Sequence, residues 1–303
     1  MLRQKILRKI YFTTFVVFLL FTVTSFTLNS DLPNTKVEYQ TNLSNIYLLN
    51  SDNYLVEVGI LVDDNILESV PIILDNLKNN SKHYNGLKGL IPNNTKINSL
   101  SIENNILCID FNEELLNVNL NMEEKIIESL VYSFLDFREL EGIKISINGE
   151  LLTKLPKSNI MLDDVLTKDF GINKEYSINS FSDVERVVLY YYQEIENNRY
   201  YVPITKYVNN SQDDKIKIII DNLKNSYLYK TNLMSYLNEM VKIENYEYTN
   251  NVVTLSFESV IDFSNDNLEE ELIYTLSNSI LDSCEARSVI FMANDQIFAI
   301  KSK

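Results

Sequence analysis

The chain has 303 residues, 45% apolar and 23% charged, an ordinary folded composition with room for about two domains of roughly 150 residues. Its 42 acidic against 27 basic residues give a formal net charge of −15, which repels nucleic acid and anionic lipid head groups. One His and two Cys exclude a disulfide framework and a His/Cys cluster with metal-ligand spacing.

At the N-terminus, "MLRQKILRK" places Arg3, Lys5, Arg8 and Lys9 ahead of an uncharged run from Ile10 to Leu28. About 20 apolar residues cross a bilayer as a helix, and basic residues before the span keep residues 1–9 in the cytoplasm. The expectation is an uncleaved transmembrane anchor over 10–28. The rival is a cleaved signal peptide, whose apolar region is usually about 7–15 residues and ends in an A-x-A-like site. "VTSFTLNS" offers no good site of that kind, and no Cys stands there to be lipidated. Either way the remainder is exported; on the anchor reading the protein is single-pass in the cell membrane with its domains on the extracytoplasmic side. Four of the 27 basic residues and none of the 42 acidic ones precede residue 31, so the exported part carries a balance of −19. Residues 31–43 read as a short polar stalk.

Next come two strand-like runs, "IYLLN" and "YLVEVGILV", across the turn "SDN". In "ESVPIILDNLKNN", Val70, Ile73, Leu74 and Leu77 make one face of a helix. Pro71 then belongs near its first turn, and Asp75 and Lys78 can pair three residues apart. A loop with His83, Gly86, Gly89 and Pro92 leads to "KINSLSI" and "NILCIDF", a hairpin across "EN". A second helix carries a stripe of Met122, Ile126, Ile127, Leu130, Val131, Phe134 and Leu135, with Asn121 and Glu124 as an N-cap pair. The strand "IKISING" closes the unit.

The unit is then repeated. "ILDNLKNNS" from Ile73 returns as "IIDNLKNSY" from Ile219, an offset of 146. The same offset carries Val56 to Val202, Asn105 to Asn251, Asn121 to Asn267 and Ile143 to Val289, without a gap from about 56 to 150. A period this long is a domain duplication and not a solenoid. The predicted architecture is α+β: two tandem repeats of a small β-β-α-β-β-α-β domain, at 44–150 and 184–300, after one N-terminal transmembrane helix. Residues 151–182, with "KLPKSN" and "KDFGINKEYSINS", read as a mostly irregular linker lying over repeat 1.

Candidate chemistry is sparse. His83 has Tyr229 as its counterpart and no Cys or Ser partner motif. No G-x-S-x-G elbow, calcium loop or phosphate-cradling glycine loop is present. The remaining catalytic option is Asp110, Glu113 and Glu114 at a strand end, suited to acid–base work on a glycan. Their counterparts are Ser256, Ser259 and Val260, so such a site exists once, and solvated strand-end carboxylates explain them equally. Cys108, opposite Thr254 in the repeat, reads as a small buried hydrophobe; Cys284 is opposite Arg138. "LYYYQ" and "RYYVP" set Tyr190, Tyr191, Tyr192, Tyr200 and Tyr201 on adjacent strands. These are either cross-strand pairs of a half-buried sheet or a face that binds a partner or stacks on sugars. No catalytic, cofactor-binding or metal-binding residue is assigned.

The order of these segments resembles the GerMN domain, found twice in the spore germination protein GerM family. The resemblance is carried by "YLVEVGILV", "VPIILDNLKNN", "GLKGLIPNNTKINSLSI", "NILCIDFNEEL" and the helix with its closing strand in "EEKIIESLVYSFLDFRELEGIKISING". It covers about 44–150 well. Residues 184–297 match more weakly, because Asn232, Ser235, Asn238 and Asp295 replace Gly86, Gly89, Pro92 and Gly149. The resemblance implies a membrane-anchored, extracytoplasmic protein of sporulation or germination, with no catalytic residues to carry over. It implies a non-catalytic scaffold that binds envelope or sporulation-complex proteins, or copies of itself. The alternative is a cell-wall glycan-binding protein or weak glycan hydrolase acting on peptidoglycan. Neither reading calls for a cofactor or for nucleic acid.

Overall fold

The computed structural model describes residues 43–303 except 81–83, 85, 211–213, 225–231, 236, 238–240 and 259–265, and omits the side chains of 266–269. The expected anchor over 10–28, the stalk up to residue 42, and His83 lie outside the described residues.

Repeat 1 opens with an antiparallel pair, β1 (Leu43–Leu49) and β2 (Leu55–Leu61), followed by α1 (Ile66–Leu77). The Asn65 side chain caps α1 by accepting the Leu67 N–H at 2.9 Å, and Val70, Ile73, Leu74 and Leu77 are buried as their spacing requires. Pro71 lies in the second turn, one turn later than its missing N–H is best tolerated. Lys78 and Asp75 pair at 2.7 Å.

A four-stranded sheet then orders as β3 (Ile97–Glu103), β4 (Ile106–Phe111), β5 (Gly142–Ile147) and β6 (Glu150–Leu151). β4 and β5 are parallel, so the chain must cross over between them, which α2 (Leu120–Phe134) does. α2 begins two residues earlier than expected. Asn119 is the N-cap and makes no side-chain cap bond, while Asn121 is already helical.

Repeat 2 follows the same plan, with β8 (Val184–Ile195), β9 (Asn198–Asn209), α3 (Lys215–Lys224), β10 (Ile243–Thr249), β11 (Val252–Phe257), α4 (Asp266–Ser283), β12 (Ser288–Ala293) and β13 (Gln296–Ser302). Its sheet orders β10-β11-β12-β13, again with the middle pair parallel. Leu77 and Leu223 are both fully buried, as are Leu130 and Leu276. Before β2 the offset changes. Leu55 and its counterpart Tyr201 stand 146 apart, but their strand partners Leu49 and Tyr192 stand 143 apart, because a two-residue turn replaces a five-residue one.

Each unit ends with one more strand than expected, since β6 and β13 fold back on β5 and β12. The abundant Asn explains the hairpins. Asn104 and Asn105, Asn250 and Asn251, and Asn294 and Asp295 all have positive φ at both turn positions, as type I′ turns demand. Asn148 with Gly149 forms the turn before β6. The β3–β4 turn therefore falls on Asn104–Asn105, one residue beyond "EN".

Residues 152–183 are more than a covering loop. Leu155, Leu162, Leu166 and Ile172 are buried in the common core, and Leu166 bridges to Ile143 of β5. Glu123, itself buried on α2, accepts the backbone N–H groups of Lys157 and Ser158 at 3.0 and 2.6 Å. A short strand, β7 (Glu175–Ser177), joins β9 in parallel, giving a sheet ordered β7-β9-β8.

Candidate functional site

The strand-end carboxylates have structural employment. Asp110 accepts the Gly149 N–H at 2.8 Å and the Asn98 side chain at 3.1 Å. Glu113 accepts the Asn148 side chain at 2.5 Å. Both therefore pin the Asn148–Gly149 turn, and repeat 2, whose turn is Asn294–Asp295, carries Ser256 and Ser259 in their place. Glu114 accepts the Asn117 side chain at 3.3 Å, apart from these two.

The tyrosines divide. Tyr190, Tyr191 and Tyr192 are buried, with 4%, 0% and 6% of their surface exposed; Tyr191 joins the hydrophobic core, while Tyr190, on the opposite face of β8, lines the cleft. Tyr200 and Tyr201 on β9 are half-buried. Tyr201 stacks on Tyr274 of α4 at 3.7 Å between ring centroids, and Tyr190 meets the same ring edge-on at 6.2 Å. The structure thus joins Tyr190 and Tyr201 through a residue on another element. Cys108 and Cys284 are free and half-buried. Burial, ahead of any neighbouring charge, raises the Cys284 thiol to about 11.

What the sequence did not single out is the junction between the repeats. Asn173, in a left-handed conformation at φ 48°, is buried between them. Its side-chain oxygen accepts the Leu55 N–H at 2.9 Å, and its amide donates to Leu55 O and Pro203 O, each at 2.8 Å. Lys125 donates to the same oxygen at 2.8 Å, and the Asn173 N–H reaches buried Glu128 at 3.0 Å. One side chain therefore ties β2 of repeat 1 to β9 of repeat 2. Nearby, Asn50 donates to Gln193 at 2.6 Å, and Gln193 donates to Asp52 at 2.6 Å.

The junction leaves a cleft of about 800 Å³, lined from both repeats. Its walls are related by the duplication. Each long helix lays serines along the free edge of its strand: Ser129 and Ser133 bond the backbone of Tyr47, while Ser279 bonds Tyr190 and Ser283 bonds Val188. This satisfies strand-edge groups that would otherwise be buried without partners. Asp136 and its counterpart Asp282 follow. Asp136 accepts the Asn45 N–H at 2.7 Å, and Asp282 accepts the Tyr190 hydroxyl at 2.6 Å.

Glu57 of β2 crosses the cleft and accepts the Tyr274 hydroxyl of repeat 2. Burial raises its carboxyl to about 7, an effect that Asp136 and Asp282 reinforce and that Tyr274 and Lys168 oppose. Tyr47, Tyr190 and Tyr274 are all pushed above the ordinary phenol range, with burial the first cause. The phenols of this wall stay protonated and polar at neutral pH. Among the described residues no group of three His, Cys, Asp or Glu could hold a metal ion, and no helix is long and apolar enough to cross a membrane.

The sequence pattern of the Germane family, described as sporulation and spore germination, matches residues 45–153. The spore germination protein GerM of Bacillus subtilis (strain 168) is 26% identical over 225 residues. That match spans 72% of this chain but only 62% of the relative's length. Among solved structures, the tandem GerMN domains of the sporulation protein GerM from Bacillus subtilis share the fold, with a TM-score of 0.73 at 24% identity over 84% of this chain and 91% of that one. The Germane pattern over residues 45–153 and the relative make the chain similar to GerM in sequence, and it shares the tandem α+β fold of the GerMN domains.

Proposed function

We propose that this protein is a non-catalytic, membrane-anchored, extracytoplasmic scaffold acting in sporulation and spore germination through protein–protein interaction. The observation that carries the reading is the employment of the candidate catalytic carboxylates: Asp110 and Glu113 are bonded to the Asn148–Gly149 turn they hold. Similarity to the spore germination protein GerM supports the process, and the uncharged run Ile10–Leu28 after four basic residues supports the anchor. The partners are envelope or sporulation-complex proteins, met by an acidic surface rather than by a catalytic pocket.

The test is spore formation by a strain whose only copy carries Asp110→Asn with Glu113→Gln. Heat-resistant spores should form at the wild-type frequency. A folded, membrane-located double variant that forms none would support the glycan-hydrolase alternative. N-terminal sequencing of membrane-extracted protein tests the anchor, and a start near residue 31 would contradict it.

A further inference from the structure

Glu57, Asp136, Glu141, Asp169 and Asp282 line the inter-repeat cleft; Asp169 pairs with Arg186, and Glu57 spans the junction. Asp136 and Asp282 stay on their own repeats, bonded to Asn45 and Tyr190. Glu57 alone reaches from β2 to α4, where the neutral Tyr274 hydroxyl is its hydrogen-bond donor. Arg138, Lys168, Arg186, Lys301 and Lys303 also line the cleft, and the charge of Lys168 favours the ionised form of Glu57. Arg186 of β8 pairs with Asp169 at 3.3 Å and donates to Lys168 O at 2.7 Å, and Lys168 lies over the Tyr132 ring. Arg138, beyond α2, donates to the main-chain oxygen of Lys303 at 3.1 Å. From β1 and β8 the facing titratable groups are the phenols Tyr47 and Tyr190, and from β9 it is Tyr201.

We propose that the contact between the two repeats is proton-linked through Glu57, tight when its carboxyl is protonated and loosened when it ionises. The chemistry is that of a carboxyl held between two other carboxylates with a neutral donor. Protonated, it can both accept from Tyr274 and carry no charge into the junction. Ionised, it adds a further negative charge to a partly desolvated cleft.

The direction follows from the shift. The carboxyl holds its proton up to about 7 in the docked state, against an ordinary value of 4.5. The docked state then binds more protons between these values, so its stabilisation is complete below about 4.5 and is lost as pH rises through about 7. The junction should open roughly tenfold to a hundredfold more often at pH 8 than at pH 5.

Leu55 reports the opening, because its N–H is donated to the Asn173 latch. Hydrogen–deuterium exchange of peptides spanning Leu55–Leu61 is measured on the full chain in detergent micelles, corrected for the intrinsic pH dependence of exchange. Wild-type exchange should accelerate through neutral pH, and Glu57→Gln should remove that acceleration while keeping the bond to Tyr274. Tyr274→Phe, which takes away the donor favouring the ionised form, should move the midpoint up. Asp136→Asn should move it down. These midpoints test the idea even where Glu57→Gln folds poorly. Exchange that is flat with pH in the wild type, or equally steep in Glu57→Gln, would overturn the proposal, as would midpoints unmoved in both other variants.

Discussion

Replacing Asn173 with Ala removes a side chain from the connecting segment that bonds both repeats. Its oxygen and amide serve the Leu55 N–H, the Leu55 carbonyl and the Pro203 carbonyl. Each loss forfeits about 1 kcal/mol and leaves a buried backbone group without its partner. Ala must also adopt the left-handed backbone at φ 48°, at a cost of about 1 kcal/mol relative to a residue that tolerates it. The expected destabilisation is therefore about 3–5 kcal/mol. Asn173→Gly, which loses the same bonds without the backbone strain, should recover about 1 kcal/mol of that. Urea denaturation followed by far-UV circular dichroism measures both. A loss below about 1 kcal/mol for Asn173→Ala, within reach of ordinary surface changes, would show that the latch bonds carry no weight.

Because Leu130 and Leu276 are fully buried in one continuous core, Leu130→Ala or Leu276→Ala should cost about 2–5 kcal/mol each. Both should move a single unfolding transition in calorimetry; two separate transitions, each sensitive to one variant, would refute a common core. Cys284, with its thiol raised to about 11, should be alkylated by iodoacetamide slowly at pH 8 and progressively faster up to that value. Rapid labelling of Cys284 in the folded protein at pH 8, identified by mass spectrometry, would contradict its burial.

The fold was legible where local pattern and the duplication coincide. The 146-residue offset located equivalent buried positions such as Leu77 and Leu223, because helix periodicity survives divergence. Strand ends were less legible. Asn-rich turns set the hairpins one residue from the expected place, and the positive φ of Asn105 or Asn251 is invisible to hydropathy. β6 and β13 were missed because two residues in one repeat and an exposed, weakly alternating stretch in the other give no periodic signal.

The junction was the least legible part. Asn173 lies in a polar, glycine-containing segment and looks like any loop residue until tertiary structure buries it. Glu57 was the hint available: an acid inside the apolar run "YLVEVGILV", with Pro203 as its counterpart. Asp136 and Asp282 were a second, being carboxylates kept by both copies at the same helix end. The tyrosine run on β8 misled for the opposite reason. Composition cannot distinguish an aromatic binding face from one covered by another helix, and α4 covers this one through Tyr274.

The central claim is that this protein works by binding, in proportion to its amount, and not by turnover. Graded depletion of the wild-type protein in sporulating cells, with heat-resistant spores counted against the protein remaining in the membrane fraction, tests it most directly. A scaffold consumed stoichiometrically in an assembly predicts a spore yield that falls in step with the protein from the first reduction. A yield that holds level until only a small residue of protein is left, as a catalyst in excess would give, would contradict the account.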